Sequence, residues 1–261
     1  MKKILSLILA VILLAGIGIA VRASSITEDT PEATQSVQAV YQTEGETPAV
    51  IRVDIAWTGM SFTYNGPSQP QWDAENHKYV SSEGHWSPSN AAITITNHSN
   101  AIIQADIGYR ALDAFSDTSI FFTDHSPVIG SADTSKTGSG EPCSVTIEAI
   151  PGGTLSDKAT SVTSIGTVTV RVGTDLGSDP HITAFEKIFK DHEKLMQAGH
   201  DPQNMERGTV YIRSVEDAEK LLAAMDTLSD QICGTQFEQA DRNKALNELI
   251  AMFYGALAIK Q

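Results

Sequence analysis

Cysteine is scarce. Cys143 and Cys233 are the only two in 261 residues, and they stand 90 positions apart. A CxxC redox pair and a cysteine-rich zinc cluster are therefore excluded. Basic residues are few as well: 18 Lys and Arg face 32 Asp and Glu, a formal net charge of -14. A chain of that charge is repelled by phosphate backbones and anionic lipid, which speaks against nucleic-acid binding. There is no P-loop and no GxGxxG, so the usual backbone cradles for nucleotides are missing. HExxH is missing too, since Asp191-His-Glu-Lys-Leu195 offers one histidine. The serines of Gly130–Gly140 do not lie in a G-x-S-x-G elbow between strand and helix, and 173–180, GTDLGSDP, is a linker and not a phosphate loop. Long apolar runs are absent but for one.

That run is at the N-terminus. Met1-Lys-Lys3 is a basic n-region and Ile4–Val21 an apolar stretch. Val21 and Ala23 then place compact residues at positions -3 and -1 before Ser24. The pattern predicts a signal peptide over 1–23, with an uncleaved anchor as the alternative, since the run is long enough to span a membrane. Its removal takes Lys2, Lys3 and Arg22 and leaves 15 basic against 32 acidic residues, a net of -17. The expected location is secreted or cell-surface. Membrane association is expected only if the segment is retained. No cysteine follows the run, which excludes a lipoprotein anchor. An exported chain permits a disulfide, so a Cys143–Cys233 bridge and two separate thiols both remain open.

The rest divides by hydrophobic period. Residues 24–48 are rich in Ser, Thr, Glu, Gln and Pro and read as a disordered linker. From Ala49 the period is two: AVIRVDIAW, MSFTY, AAITITN, AIIQADIGY, SVTIEAI and GTVTVRV are short runs bounded by Gly, Pro, Asn and Ser. They predict an antiparallel β-sandwich, Ig-like, over 49–174. The stretches 128–142 and 151–161 read as loops. At Asp179 the period becomes helical. Asp179 is an N-cap, Pro180 a first helical residue, and Ile182, Phe185, Ile188, Phe189 and Met196 mark one face up to Gly199. Ser214 opens a second helix with Val215, Ala218, Leu221, Leu222, Met225, Leu228 and Ile232 on its stripe, closed by Gly234. A third runs over 237–259, and TVYIR (209–213) is a short extended segment. The expectation is a multi-domain chain: the sandwich, then a small all-α domain over 179–261. At about 80 residues that domain is near the lower limit for an independent core, so it should dock on the sandwich or on another copy.

The densest cluster of chemistry-bearing residues is Trp72–Val80, WDAENHKYV, followed by Glu83-Gly-His-Trp86. His77 and His85, with Asp73 or Glu75, are candidate metal ligands. Their spacing matches no mechanistic motif, and the turn reading explains the residues better. Asp73 can accept from amides two residues on, Asn76 tolerates positive φ, and Trp72 and Tyr79 can pack across two strands. Asp113, Asp117 and Asp124 form a loose acidic group without a calcium-loop pattern. No cofactor, metal or catalytic residue is expected.

The runs Trp57–Tyr64, Trp72–Val80, His85–Ser87 and Ile93–Asn100 resemble a secreted or surface β-sandwich module of Gram-positive, clostridial-type proteins. That pattern is W-x-x-M-x-F-x-Y, then W-x-x-E-x-H-x-Y, then I-T-I-T-N-H-S-N. Asp73-Ala74 stands where Asn-Pro is typical of the module. The resemblance implies a fold and a location, with Trp57, Phe62, Tyr64, Trp72, Tyr79 and Trp86 as core aromatics, and no reaction. The leading expectation is a non-catalytic interaction or adhesion module binding protein or glycan at the cell envelope. A structural subunit forming a homo-oligomer through the helical tail is the second. A hydrolase of unrecognised type is the third, and it would need a pocket with clustered, pKa-shifted groups.

Overall fold

The computed structural model describes residues 35–41, 49–132, 140–156 and 162–261. The strands are β1 (Gln35–Tyr41), β2 (Ala49–Thr58), β3 (Tyr64–Asn65), β4 (Gln71–Asp73), β5 (Lys78–Val80), β6 (His85–Trp86) and β7 (Ala92–Asn97). They continue with β8 (Ile103–Ala111), β9 (Thr118–Phe122), β10 (Val128–Ile129), β11 (Cys143–Gly153) and β12 (Gly166–Gly173). The last two are β13 (Val210–Ile212) and β14 (Leu257–Ile259). The helices are α1 (Pro180–Ala198), α2 (Val215–Cys233) and α3 (Gln239–Ala256). The architecture is thus mostly antiparallel sheet with a helical part towards the C-terminus.

A five-stranded sheet has the order β1-β2-β7-β11-β9, and a three-stranded sheet the order β10-β8-β12. The alternation in β2 and β7 translates directly into side-chain direction. Ile51, Val53 and Ile55 are buried on β2, and Ile93 and Ile95 on β7, while their neighbours face outward. The signal peptide expectation lies outside the described residues. The linker expectation is corrected in part, because residues 35–41 form β1 and pair with β2 from Gln35↔Ile55 to Tyr41↔Ala49. A composition poor in large apolar residues does not prevent a strand from pairing at a sheet edge. The loop expected from Pro151 is corrected as well. β11 runs on to Gly153 and pairs through Ala149–Gly153 with β9, a strand the periodicity did not single out. Gly153 ends it at φ 72, where an added Cβ would strike the Asp117 carbonyl.

The helix starts follow the local chemistry. Asp179 accepts from the amides of His181 and Ile182, with Pro180 at the first position. Ser214 accepts from the Asp217 amide. The third helix ends earlier than expected, because Leu257–Ile259 extend into β14 and pair with β13. The buried face of α1 also differs. His181, Ala184, Ile188 and His192 point inward, whereas Phe189 is 38% exposed and Met196 42%. Val215 and Leu222 of α2 are exposed too.

The helical part does not own a separate core. Buried residues of β2, β7, β8 and β11 and of all three helices form one contiguous cluster, from Ile51 to Leu257. α3 lies on β10 and β11. Its Tyr254 hydroxyl accepts from the Val128 amide (3.0 Å) and donates to Asp124 (2.8 Å). Asn247 donates to the Ser131 carbonyl at 2.9 Å, and Arg207 to the Pro151 carbonyl at 2.7 Å. Burial and the neighbouring Asp124 carboxylate push the Tyr254 pKa well above its ordinary range.

Candidate functional site: an exposed aromatic hairpin

The chain leaves the five-stranded sheet at the end of β2 and returns at the start of β7. The excursion between them, 59–91, is an arm held in three tiers. At the root, Tyr64 pairs with Trp86 and Asn65 with His85. In the middle, the Ser68 amide donates to the Ser82 carbonyl, and the Ser82 amide to the Ser68 hydroxyl at 2.7 Å. At the tip, β4 and β5 form their own two-stranded sheet with Trp72↔Tyr79 in register.

Root and tip use aromatics in opposite ways. Trp86 is buried and donates through Nε1 to the Gly153 carbonyl at 3.0 Å. The Tyr64 ring meets Trp86 edge-on at 5.0 Å, and Phe62 meets it at 6.4 Å. Gly84 is needed here, since a Cβ would collide with the Tyr64 hydroxyl. Trp57, Phe62 and Tyr64 are half-buried. Trp72 and Tyr79 are not core residues, and that expectation is corrected: they are 54% and 72% exposed. Their rings meet at 5.3 Å and 64°, an edge-to-face pair, with His77 6.4 Å from Trp72. Every residue of 71–80 except Asp73 is exposed. The arm carries its tip away from the core, so among the described residues nothing covers either face of β4–β5.

The turn at the tip is closed by hydrogen bonds in spite of its exposure. Asp73 Oδ1 accepts from the amides of Glu75 (3.0 Å) and Asn76 (3.1 Å), and Oδ2 from the Asn76 amide side chain (2.8 Å). These bonds, led by the Asn76 side chain, hold the Asp73 carboxyl below its ordinary pKa. Positive φ falls on His77 (49°) and not on Asn76 as anticipated. The carboxylate of Asp73 closes the first turn onto residues 75 and 76, which leaves the chain reversal to the next position.

The other candidates disperse. Among the described residues, no group of three or more His, Cys, Asp or Glu side chains could hold a metal ion. His77 is at the tip and His85 at the root, in different two-stranded sheets. Asp124 is occupied by Lys187 (3.2 Å), Tyr254 and the Ser126 amide (2.7 Å). Asp113 lies in a 3-10 turn with Phe115, and the Asp117 carbonyl accepts from Thr154. His98 meets Asp54 at 3.0 Å, His125 the Ile107 carbonyl at 3.2 Å, and His200 the Ile212 carbonyl at 3.1 Å. His181 is buried with Nε2 2.7 Å from Asn243 Oδ1. Burial lowers the pKa of His181 and of His192. Asp179 is lowered: burial works against its ionisation, but Arg242 at 2.8 Å and the amides of Ile182 and His181 outweigh that.

Cys143 and Cys233 are both free thiols. Burial pushes Cys143 up to about 11 and raises Cys233 as well. A shallow cleft of about 290 Å³ opens where α3 meets β11. The carboxylate in its described lining, Glu148, faces Arg213 at 3.9 Å, and no histidine lines it.

The ITITNHSN motif is structural. Asn97 is fully buried and donates to the carbonyls of Ala101 (2.8 Å) and Gly130 (2.7 Å), while its Oδ1 accepts from the Ser99 amide. Ser99 in turn accepts from the Arg52 amide, and Asn100 from Val50. The motif ties the end of β7 to β2 and β10.

Set against known proteins, the chain matches no family model, no curated protein and no solved structure. The arm was visible in the sequence as a turn, but its exposure was not. The available signal was polar residues on both flanks of the pair, Gln71 and Asp73 on one strand and Lys78 on the other. Among the described residues, no third strand joins that small sheet.

Proposed function

We propose that the chain is an exported, non-catalytic binding module of the cell envelope that takes protein or glycan through the tip of the 59–91 arm. The observation that carries this is the Trp72–Tyr79 pair, two large rings packed edge-to-face on a hairpin and open to solvent. Trp and Tyr in such a setting supply wide contact area at low entropic cost. Export rests on the basic, apolar and small-residue pattern of 1–23. The resemblance of 57–100 to clostridial-type surface modules, with an Ig-like sandwich behind the arm, agrees with that location. The test is retention of the protein on envelope fragments of the cells that produce it. The Trp72→Ala, Tyr79→Ala double variant should lose most of the retention. Retention equal to that of the parent chain would end the reading.

Self-association through α1 is a second reading, favoured by Phe189, which is 38% exposed and stacks on the half-buried Phe185 (6.4 Å, 25°). Removing 179–261 would strip the shared core, so the sharper test is Phe189→Glu. A parent chain that sediments as a monomer, or an oligomer that the variant leaves intact, sinks it.

A further inference from the structure

We infer that the ligand of the β4–β5 tip is a neutral polysaccharide, held by stacking of its sugar rings on Trp72 and Tyr79. The inference rests on the binding-module reading above and narrows it to one class of molecule.

The rings come first. The faces of a pyranose carry C–H bonds, which are apolar and weakly positive. An aromatic face is apolar and negative. Trp72 and Tyr79 lie edge-to-face on a cross-strand pair, so the two ring planes differ by 64° and together make an angled surface. Such a surface suits successive sugars of a chain, whose ring planes also turn from one unit to the next.

Shape is the second consideration. Residues of the tip are exposed on both of its faces. A small molecule is usually held in a cleft that buries most of it. A polymer can be gripped from one side, over several units, without a cleft.

Charge and size narrow the field further. Asp73 and Glu75 outnumber Lys78 within 71–80, and the whole chain carries -14. Phosphate-bearing polymers, acidic glycans and anionic membranes are repelled by this field. A protein partner of standard size needs about 800 Å² and roughly 20 residues from each side. The ten residues of the tip fall short of that alone. The polar side chains that remain accessible, Gln71, Asn76, His77 and Lys78, offer both donors and acceptors next to the rings, which is what sugar hydroxyls require. The Asp73 carboxylate is already committed to the turn. It pre-shapes the site and so lowers the entropy lost on binding.

The test measures depletion of the protein from solution by insoluble chitin, cellulose and mannan. An acidic polysaccharide gel and phosphatidylcholine vesicles are the contrasting probes. At least one neutral polymer should retain the protein. Trp72→Ala and Tyr79→Ala should each weaken that retention by roughly tenfold or more, with Trp72→Phe and Tyr79→Phe in between. Circular dichroism of each variant should match the parent. Retention only by vesicles or by the acidic gel would overturn the proposal. So would neutral-polymer retention unchanged in both alanine variants. If envelope fragments bind through the tip but no neutral polymer does, and protease treatment of the fragments abolishes binding, the glycan class is wrong while the binding module stands. If the alanine variants bind envelope fragments as the parent does, both readings fall.

Discussion

At the junction of α3 with the sheets, Tyr254 is 7% exposed and its hydroxyl is bonded to Val128 and Asp124. At the tip of the arm, Tyr79 is 72% exposed and its ring meets Trp72. The same residue type closes a core in one place and is displayed in the other. What separates them is the number of elements around them. The junction stacks helix on sheet, so every polar atom taken inside needs an internal partner. The tip of the arm is a two-stranded ribbon that no described element packs over, so the identity of its exposed residues can serve contact.

That contrast predicts where substitutions hurt. The largest loss should come from Phe253→Ala on α3, which empties a fully buried site and costs about 3–5 kcal/mol. Urea unfolding should show it as one transition, since sheets and helices share a core. Two transitions would break the comparison by separating the helical part. Asn97→Ala should follow at about 3 kcal/mol, because it orphans the carbonyls of Ala101 and Gly130 and the Ser99 amide. Tyr254→Phe keeps the ring and loses two hydrogen bonds, for about 1–3 kcal/mol in the same assay.

The fourth effect depends on pH. Burial holds His181 and His192 below their ordinary pKa in the folded chain. The unfolded chain therefore takes up protons first. Stability from these groups is complete above about pH 6.5 and declines as pH falls below it. The urea midpoint should be lower at pH 5.5 than at pH 7.5, and His192→Gln should flatten that slope. An unchanged slope would mean that His192 is not neutral inside.

The smallest stability effect should come from the tip. Trp72→Ala and Tyr79→Ala should each change stability by no more than about 0.5 kcal/mol, as expected of exposed positions. A loss comparable to that of Tyr254→Phe would show that the pair supports the fold and is not there for display.

Much of the molecule could be read from residue order alone. The alternation of Ile51, Val53 and Ile55 is the buried face of β2, and Asp179-Pro180 and Ser214 do open helices. WDAENHKYV forms a hairpin with its aromatics across from one another. These features follow from local forces: side-chain alternation, capping and turn closure act over a few residues. Other features were illegible. Phe189 and Met196 have the right spacing for a core stripe, yet α1 buries His181 and His192. Periodicity defines an apolar arc but does not say how the helix is rotated against α2 and β13. Leu257–Ile259 continue a helical pattern, yet they pair with β13 because that strand lies beside them.

Residue order sufficed for most of the antiparallel strands, the helix starts at Asp179 and Ser214, the acidic charge and the turn at Asp73. Long-range packing set the rest: sheets and helices share one core, Cys143 and Cys233 stay apart, and Trp86 is buried while Trp72 is exposed. The physical reason is range. Turns and caps are satisfied by neighbours in the chain, whereas burial depends on which distant surfaces come to cover a residue, and among the described residues none covers the tip of the arm.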